Sequence, residues 1–288
     1  MNIGINAYSF SRLLKNGTFT LFDAISYVKE IGCNTIEFIS LESPPGKKLE
    51  DFAQELRNAC DAAEISVSCY AVGADFLNSS EGNPKAEAER LKGSVDITRI
   101  LGAPCMRHDV AWGIKAENPY NCRTYHDVIR LAAPAIREVT EYAAQAGIQT
   151  AAENHGYLFQ DSHRMEELVL AVNHPNFRLL VDIGNFLCAD EPGIAALPVV
   201  MPYAVHIHAK DFLWKSGAEL PPDDSWFPSR GGNFLRGTIL GHGVASVAQC
   251  LGFIKKSGYD RSVSLEFEGL EEPLTAIRRG FEFLKKHV

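Results

Sequence analysis

Eight times along this chain a short apolar run with strand character is followed by a longer stretch with helical spacing. That rhythm restricts the fold to a parallel α/β architecture. Strands are expected at 3–8, 35–39, 65–71, 104–107, 148–153, 177–182, 204–208 and 262–267. Helices are expected at about 20–31, 48–63, 83–101, 124–146, 164–172, 193–201, 247–257 and 273–286. Gly32, Gly102 and Gly147 sit where helices should stop. Pro134 falls inside the fourth helical pattern and marks a candidate kink. Eight strands and eight helices are the inventory of a (β/α)8 TIM barrel, a fold that takes about 250 residues, and this chain has 288. A doubly wound open sheet is the competing arrangement, but it opens on a glycine-rich turn. Here the first turn reads Tyr8-Ser9-Phe10-Ser11-Arg12. A single α/β TIM-barrel domain over 1–288 is therefore expected.

One connection breaks the rhythm. Residues 211–245, after the seventh strand, are rich in proline, glycine and aromatic residues, among them Trp214, Trp226, Phe227 and Phe234. Loops this long inside one domain are usually lids or binding elements. Leaving two tryptophans and three phenylalanines in water would be costly. A lid over the barrel mouth is expected, although an irregular insertion or an oligomer contact would bury the rings as well.

Composition narrows the partners. Apolar residues at 46% and charged residues at 22% describe a globule with a substantial core. A net charge of −8 is the wrong sign for tracking a phosphate backbone, so no nucleic acid partner is expected. The seven cysteines (Cys33, Cys60, Cys69, Cys105, Cys122, Cys188 and Cys250) are scattered and never fall in C-x-x-C spacing. Reduced thiols in a cytoplasmic protein, most of them buried as small hydrophobes, are expected. The start Met1-Asn2-Ile3-Gly4-Ile5-Asn6 is too short and polar for a signal peptide. No apolar run approaches the ~20 residues that cross a bilayer, so no membrane partner is expected.

Chemistry collects at four strand ends. Glu153, Asp182, His208 and Glu266 each close an apolar run, at the edge where a parallel barrel presents its catalytic groups. One such residue alone would be a salt-bridged strand end or a satisfied core histidine. Four in register form a constellation. Three carboxylates and an imidazole suit one divalent ion such as Mn²⁺, Mg²⁺, Co²⁺ or Zn²⁺. Glu153 and Glu266 come from the fifth and eighth strands and can approach a substrate from different sides. Two such carboxylates can take a proton from one face of a carbon and return one to the other. A cation between them would relieve their repulsion and polarise a carbonyl or hydroxyl.

Other residues at the mouth are weaker candidates. His155 and Lys210 lie two residues past Glu153 and His208, keep the inward parity, and could bind substrate oxygens. Asn185 can donate to a substrate hydroxyl. His108, after Arg107 and before Asp109, is either an extra acid/base group or a solvated loop histidine. Arg230 and Arg236 could meet a phosphate or carboxylate or simply carry surface charge. Trp112 could stack on a sugar face or pack against the rim. His206 shares the inward side of its strand with His208, as a supporting or layer residue.

The segments Glu153-Asn154-His155-Gly156, Asp182-Ile183-Gly184-Asn185, His208-Ala209-Lys210-Asp211, Leu240-Gly241-His242-Gly243 and Ser264-Leu265-Glu266 resemble the xylose isomerase-like TIM-barrel superfamily. The likeness is greatest to its sugar phosphate isomerase/epimerase group and covers essentially the whole chain. It implies that Glu153, Asp182, His208 and Glu266 hold one metal, commonly Mn²⁺, and that Glu153 and Glu266 double as the acid/base pair. Ketose 3-epimerases of this group carry a histidine three positions after the metal-binding aspartate, where this chain has Asn185. An acidic residue often lies between the two glycines, where this chain has His242. The resemblance implies a metal-dependent isomerase or epimerase of a small sugar or polyol-derived carbonyl compound, and the aromatic residues of 211–245 favour a homo-oligomer, a dimer or tetramer. A lyase sharing the first proton abstraction is the alternative. A DNA-repair endonuclease is disfavoured by the missing strand-end histidines and basic face, and a non-catalytic sugar-binding protein would not need two opposed carboxylates.

Overall fold

A strand covered on both faces reads as a nearly continuous apolar run, and any charged residue within it must find a partner inside the protein. The computed structural model, which describes residues 1–288, places eight such strands in one closed parallel barrel. They are β1 (Asn2–Asn6), β2 (Thr35–Ile39), β3 (Ser66–Val72), β4 (Cys105–His108), β5 (Gln149–Glu153), β6 (Phe177–Asp182), β7 (Ala204–Ala209) and β11 (Ser262–Leu265). Strand β11 pairs with β1 through Asn2 opposite Ser262, which closes the ring. The TIM barrel expected from the sequence is the fold of the molecule.

Period-two alternation sorts each strand into two faces. Outward residues such as Ile36, Phe38, Met106, Ile207 and Val263 join one large apolar core with helix residues Val28, Leu56, Val95, Ile136 and Leu251. Inward, Cys69, Cys105, Ala151, Leu180 and Val205 form a separate small cluster. Cys105, Ala151 and Leu180 lie two residues before Arg107, Glu153 and Asp182, so they fill the barrel directly beneath those side chains. All seven cysteines are buried and unpaired.

The helices start and stop for local reasons. Helix α2 (Leu21–Glu30) opens on a capping box between Thr20 and Asp23, and α5 (Tyr125–Gln145) on another between Thr124 and Asp127. Helix α4 (Pro84–Leu101) ends at Gly102 in the left-handed region. Helix α5 runs through Pro134 without interruption. The short α1 (Ser11–Lys15), α3 (Leu49–Ala62), α6 (Ser162–Val172), α7 (Gly193–Val200), α8 (Val247–Lys256) and α9 (Pro273–His287) complete the set. None is long and apolar enough to cross a membrane.

The connection 211–245 differs from a plain loop. It forms a three-stranded antiparallel sheet, with β10 (Phe234–Thr238) between β8 (Asp211–Lys215) and β9 (Phe227–Pro228). Phe212 and Leu235 are buried beneath it with Cys188, while Trp214 stays about half exposed. The runs D-F-L-W-K and F-L-R-G-T carry strand alternation, which the surrounding prolines and glycines obscure.

Asp211 organises the chain where it returns to the barrel. Its Oδ2 accepts from the amides of Gly241 and Gly243, both at 2.9 Å, and its Oδ1 accepts from Ala245 at 3.0 Å. Both glycines are sterically required. A Cβ on Gly243 would lie 2.3 Å from Asp211 Oδ1, and one on Gly241, at φ +85°, would lie 2.4 Å from the Phe283 ring. Replacing Gly243 by alanine is expected to destabilise the protein by about 1–3 kcal/mol, as overpacking does. Urea unfolding of G243A checks this, and an unchanged midpoint would contradict it.

Candidate metal centre

Four strand ends bring one nitrogen and three oxygens together. His208 Nδ1 lies 3.2 Å from Glu153 Oε1, 3.0 Å from Glu266 Oε2 and 3.8 Å from Asp182 Oδ2. The potential ligand atoms of these four residues all lie within 4.8 Å of one another. Each reaches its place from the end of β7, β5, β6 or just beyond β11.

Neighbouring groups fix the inward-facing oxygens. Asp182 Oδ1 accepts from the amides of Gly184 and Asn185 at 2.8 and 2.9 Å, which leaves Oδ2 facing the cluster. Arg107 pairs with Glu153 Oε2, leaving Oε1 toward His208 and within 3.2 Å of Asn185 Nδ2. Asn154 staples β5 to β6, donating to Asp182 O at 2.9 Å and accepting from Asp182 N at 2.8 Å. The second residue of the Glu153-Asn154-His155-Gly156 run thus holds two carboxylate-bearing strand ends in register.

The donor set fits a divalent cation. Asp182 Oδ2 and Glu266 Oε2 are buried without a well-aligned hydrogen bond. The one ammonium near both, Lys210 Nζ at 3.3 and 3.1 Å, is a single charge among crowded carboxylates, so a further positive charge would relieve them. Burial, reinforced by Glu266 and Glu153, raises the Asp182 carboxyl to about 7 against the pull of Lys210 and His208. Burial also opposes ionisation of Glu153, but Arg107 and His208 overcome it and hold that carboxyl at about 2. One crowded acid therefore tends to keep a proton while its neighbours stay ionised, which is the electrostatic state that a cation would relieve.

Two cationic side chains interleave with these acids. Lys210 Nζ lies 3.1 Å from Glu266 Oε2, 3.3 Å from Asp182 Oδ2 and 3.7 Å from Glu268 Oε2. Arg107 also pairs with Asp109 Oδ1 at 2.7 Å, and the same oxygen meets His155 Nδ1 at 2.8 Å. Trp112 stands edge-on to His155 at 4.7 Å. Above them opens a cavity of about 390 Å³, whose wall includes Tyr8, Trp112, His155, Lys210, Glu266 and Glu268.

Comparison with known proteins decides the family. The family model described as xylose isomerase-like TIM barrel matches residues 25–287. The chain belongs to that family. No curated protein sequence matches it. Among solved structures, the IOLI protein with a bound zinc atom is 17% identical at a TM-score of 0.75, covering 100% of this chain and 99% of that one. The probable 3-DHS dehydratase AsbF of Bacillus anthracis is 16% identical at 0.75, covering 99% of each chain. The 3-keto-D-glucoside 4-epimerase YcjR of E. coli is 15% identical at 0.71, again covering 99% of each. At these identities the likeness is one of fold.

Within this xylose isomerase-like barrel, sequence expectations and observed positions part at several residues. His108 faces away from the cavity, fully buried between Phe76 and Phe177, with Nδ1 2.8 Å from Asp109 O. Burial lowers its pKa to about 4, so it is a neutral wall residue and neither a solvated loop histidine nor a cavity group. Strand alternation is the reason, because it sends Arg107 inward and His108 outward. Arg236 lies over the Trp226 ring at 5.3 Å in the 211–245 sheet, away from the cavity. Arg230 is tied to Asp161 at 2.6 Å. Asn185 sits behind the cluster, between Glu153 and Lys210, rather than on the cavity wall.

Sequence reasoning missed Arg107, Asp109, Glu268, Tyr8 and above all Glu37. Glu37 points into the barrel from the middle of β2 and is completely buried. Both its oxygens lie 3.0 Å from His208 Nε2, and its Oε2 lies 3.0 Å from His206 Nε2. The signal was available, since a carboxylate at an inward position of the apolar run T-I-E-F-I needs a buried partner.

Proposed function

We propose that this protein is a metal-dependent isomerase or epimerase of a small polyhydroxylated carbonyl compound, with Glu153 and Glu266 as the proton-transfer pair. The observation that carries this reading is their convergence. From strands three steps apart around the barrel, both carboxylates come within 3.2 Å of one imidazole nitrogen, His208 Nδ1, on the wall of one cavity. Glu153, Asp182, His208 and Glu266 would hold the metal, with Mn²⁺ as the first choice and Mg²⁺, Co²⁺ or Zn²⁺ able to suit the same donors. Bound there, the cation would polarise a substrate carbonyl or hydroxyl and acidify the adjacent C–H. One carboxylate then takes the proton from that carbon, and the electron pair moves into the former carbonyl to give an enediolate. The opposite carboxylate delivers a proton to the same or the neighbouring carbon. Lys210 and Arg107 keep the two acids apart and oriented.

Incubation of metal-loaded protein with free ketoses in D₂O tests the reading. Deuterium should enter at the carbon beside the carbonyl and an isomer pool should form. No incorporation with any sugar would remove the proposal. Stripping the metal with a chelator should lower stability by about 2.7 kcal/mol relative to protein holding metal at a hundred times its Kd. Thermal melts with and without added Mn²⁺ measure that difference, and superimposable melts would count against a metal site.

A lyase is the second reading, favoured by one observation. His155 lines the cavity with its Nδ1 anchored on Asp109 at 2.8 Å, so its other ring nitrogen could protonate a departing group. Irreversible growth of ultraviolet absorbance from a conjugated product would select it over an isomer pool. The 211–245 sheet is proposed as a cover at the rim. Tyr157, on the connection after β5, supports this by donating from its hydroxyl to Pro228 O at 2.7 Å. The buried, unpaired cysteines favour a reducing compartment such as the cytoplasm.

A further inference from the structure

The two permanent cations of this barrel mouth, Arg107 and Lys210, are already matched by the chain's own carboxylates. Arg107 spends Nη2 on Asp109 and Glu153, and Nη1 on Asp109 Oδ2 at 3.2 Å and Val72 O at 3.3 Å. Lys210 is shared among Asp182, Glu266 and Glu268. Were a divalent cation to take over Asp182 and Glu266, Glu268 would still neutralise Lys210, and Asp109 would still neutralise Arg107. Arg230 is paired with Asp161, and Arg236 lies over the Trp226 ring with its Nε buried and unpaired; neither lines the cavity.

Backbone amides tell the same story. TIM barrels commonly bind phosphate on the loops after the last two strands and at a nearby helix N-terminus. Here Asp211 takes the amides of Gly241, Gly243 and Ala245 after β7. Glu272 takes those of Leu274 and Thr275 at the start of α9. After β6, Asp182 Oδ1 holds the amides of Gly184 and Asn185. The loop amides after β6 and β7 and the first turn of α9 are thus filled from within, while the first turn of α8 has no side-chain cap.

We infer that the substrate is an uncharged polyol-derived carbonyl compound, and that its phosphate esters and sugar acids are rejected. This inference rests on the function proposed above and makes it narrower. Asp109, Glu153, Asp182, Glu266 and Glu268, with Glu37 beneath them, stand against Arg107, Lys210 and, when protonated, His155. With a divalent ion added, these six negative and five positive charges leave the set one charge negative. A phosphate monoester would bring a further charge of about −1.5 to −2 into that field. Hydroxyl groups, which both donate and accept, match the mixed wall of Glu268, Tyr8 and His155. The half-exposed Trp112 offers a flat apolar face to the carbon skeleton.

Calorimetric titration of the Mn²⁺-loaded protein with matched pairs, each a free ketose and its terminal phosphate ester, tests this inference. The free sugar should bind at least about tenfold more tightly, a difference of about 1.4 kcal/mol. Replacing Glu268 by glutamine should narrow that preference, because it removes one of the repelling charges. Equal or tighter binding of the esters, or no binding by any free sugar, overturns the inference. So does a preference unchanged in a folded E268Q protein. Hydrogen exchange in D₂O is read separately. If free sugars bind preferentially but exchange nothing, the catalytic reading fails while the charge preference stands.

Discussion

Metal-saturated Glu266→Gln protein is expected to lose about 10²–10⁴-fold in turnover while still washing deuterium into one of the two substrate isomers. A glutamine can still offer an oxygen to a cation but cannot carry a proton. Glu153 remains opposite and can still deprotonate the form whose hydrogen faces it. The partner form, whose hydrogen faces position 266, should no longer exchange. Glu153→Gln should give the mirror result, with exchange surviving only in the other isomer. Nuclear magnetic resonance of each isomer in D₂O reads this directly, at metal concentrations raised until occupancy matches the unaltered protein. If each single variant retained most of its turnover, the two-carboxylate reading would be lost. Equal loss of exchange in both isomers with metal in place would point instead to one acid/base group and a ligand.

The same alternation that makes this prediction possible also decided how much could be read in the sequence. Glu153 with His155, and His208 with Lys210, were legible because period two carries strand parity one step past the strand end. Applied to Arg107-His108-Asp109, that rule selects Arg107 and Asp109 for the cavity and turns His108 outward. Chemical familiarity pointed to the histidine, and geometry favours its neighbours. Asn185 kept its place in the motif but lost its expected contact, because Glu153 and Lys210 satisfy its amide before a substrate can. The sheet in 211–245 was hidden by composition. Prolines and glycines mark its turns, while its strands pair antiparallel outside the barrel, where no repeat predicts them. Lid function in that segment depends on contacts with a substrate, which no spacing encodes.

Glu37 lies furthest from anything a motif could reveal, and its removal should have the second large effect. Its carboxylate accepts from the Nε2 atoms of both His208 and His206, each at 3.0 Å, and Ser264 Oγ lies 2.9 Å from His206 Nε2. Burial would raise the Glu37 carboxyl, but the His208 and His206 imidazoles outweigh it and hold it well below the ordinary carboxylate range. A carboxylate between two ring nitrogens is an acceptor only, so both nitrogens must carry their protons. For His208 this keeps the proton on Nε2, so Nδ1, the atom facing Glu153, Asp182 and Glu266, is the one that would give up its proton to a cation. Burial opposes a second proton there, but Glu37, Glu266 and Glu153 raise the His208 pKa and hold it on until an ion replaces it. Both Glu37 oxygens lie 3.0 Å from His208 Nε2, so whichever way a glutamine at position 37 is turned its NH₂ faces that nitrogen, disfavours the proton there and pushes His208 toward the wrong tautomer. Metal affinity of Glu37→Gln should therefore fall about 10–100-fold, with the number of ions bound at saturation unchanged. Glu37, His206 and His208 could themselves be taken for a second metal site, since their donor atoms also lie within 4.8 Å of one another. That arrangement would give two ions per chain, reduced to one in the variant. Circular dichroism establishes that the variant is folded, and metal titration then separates the outcomes. An unchanged Kd would mean that His208 needs no help to present Nδ1.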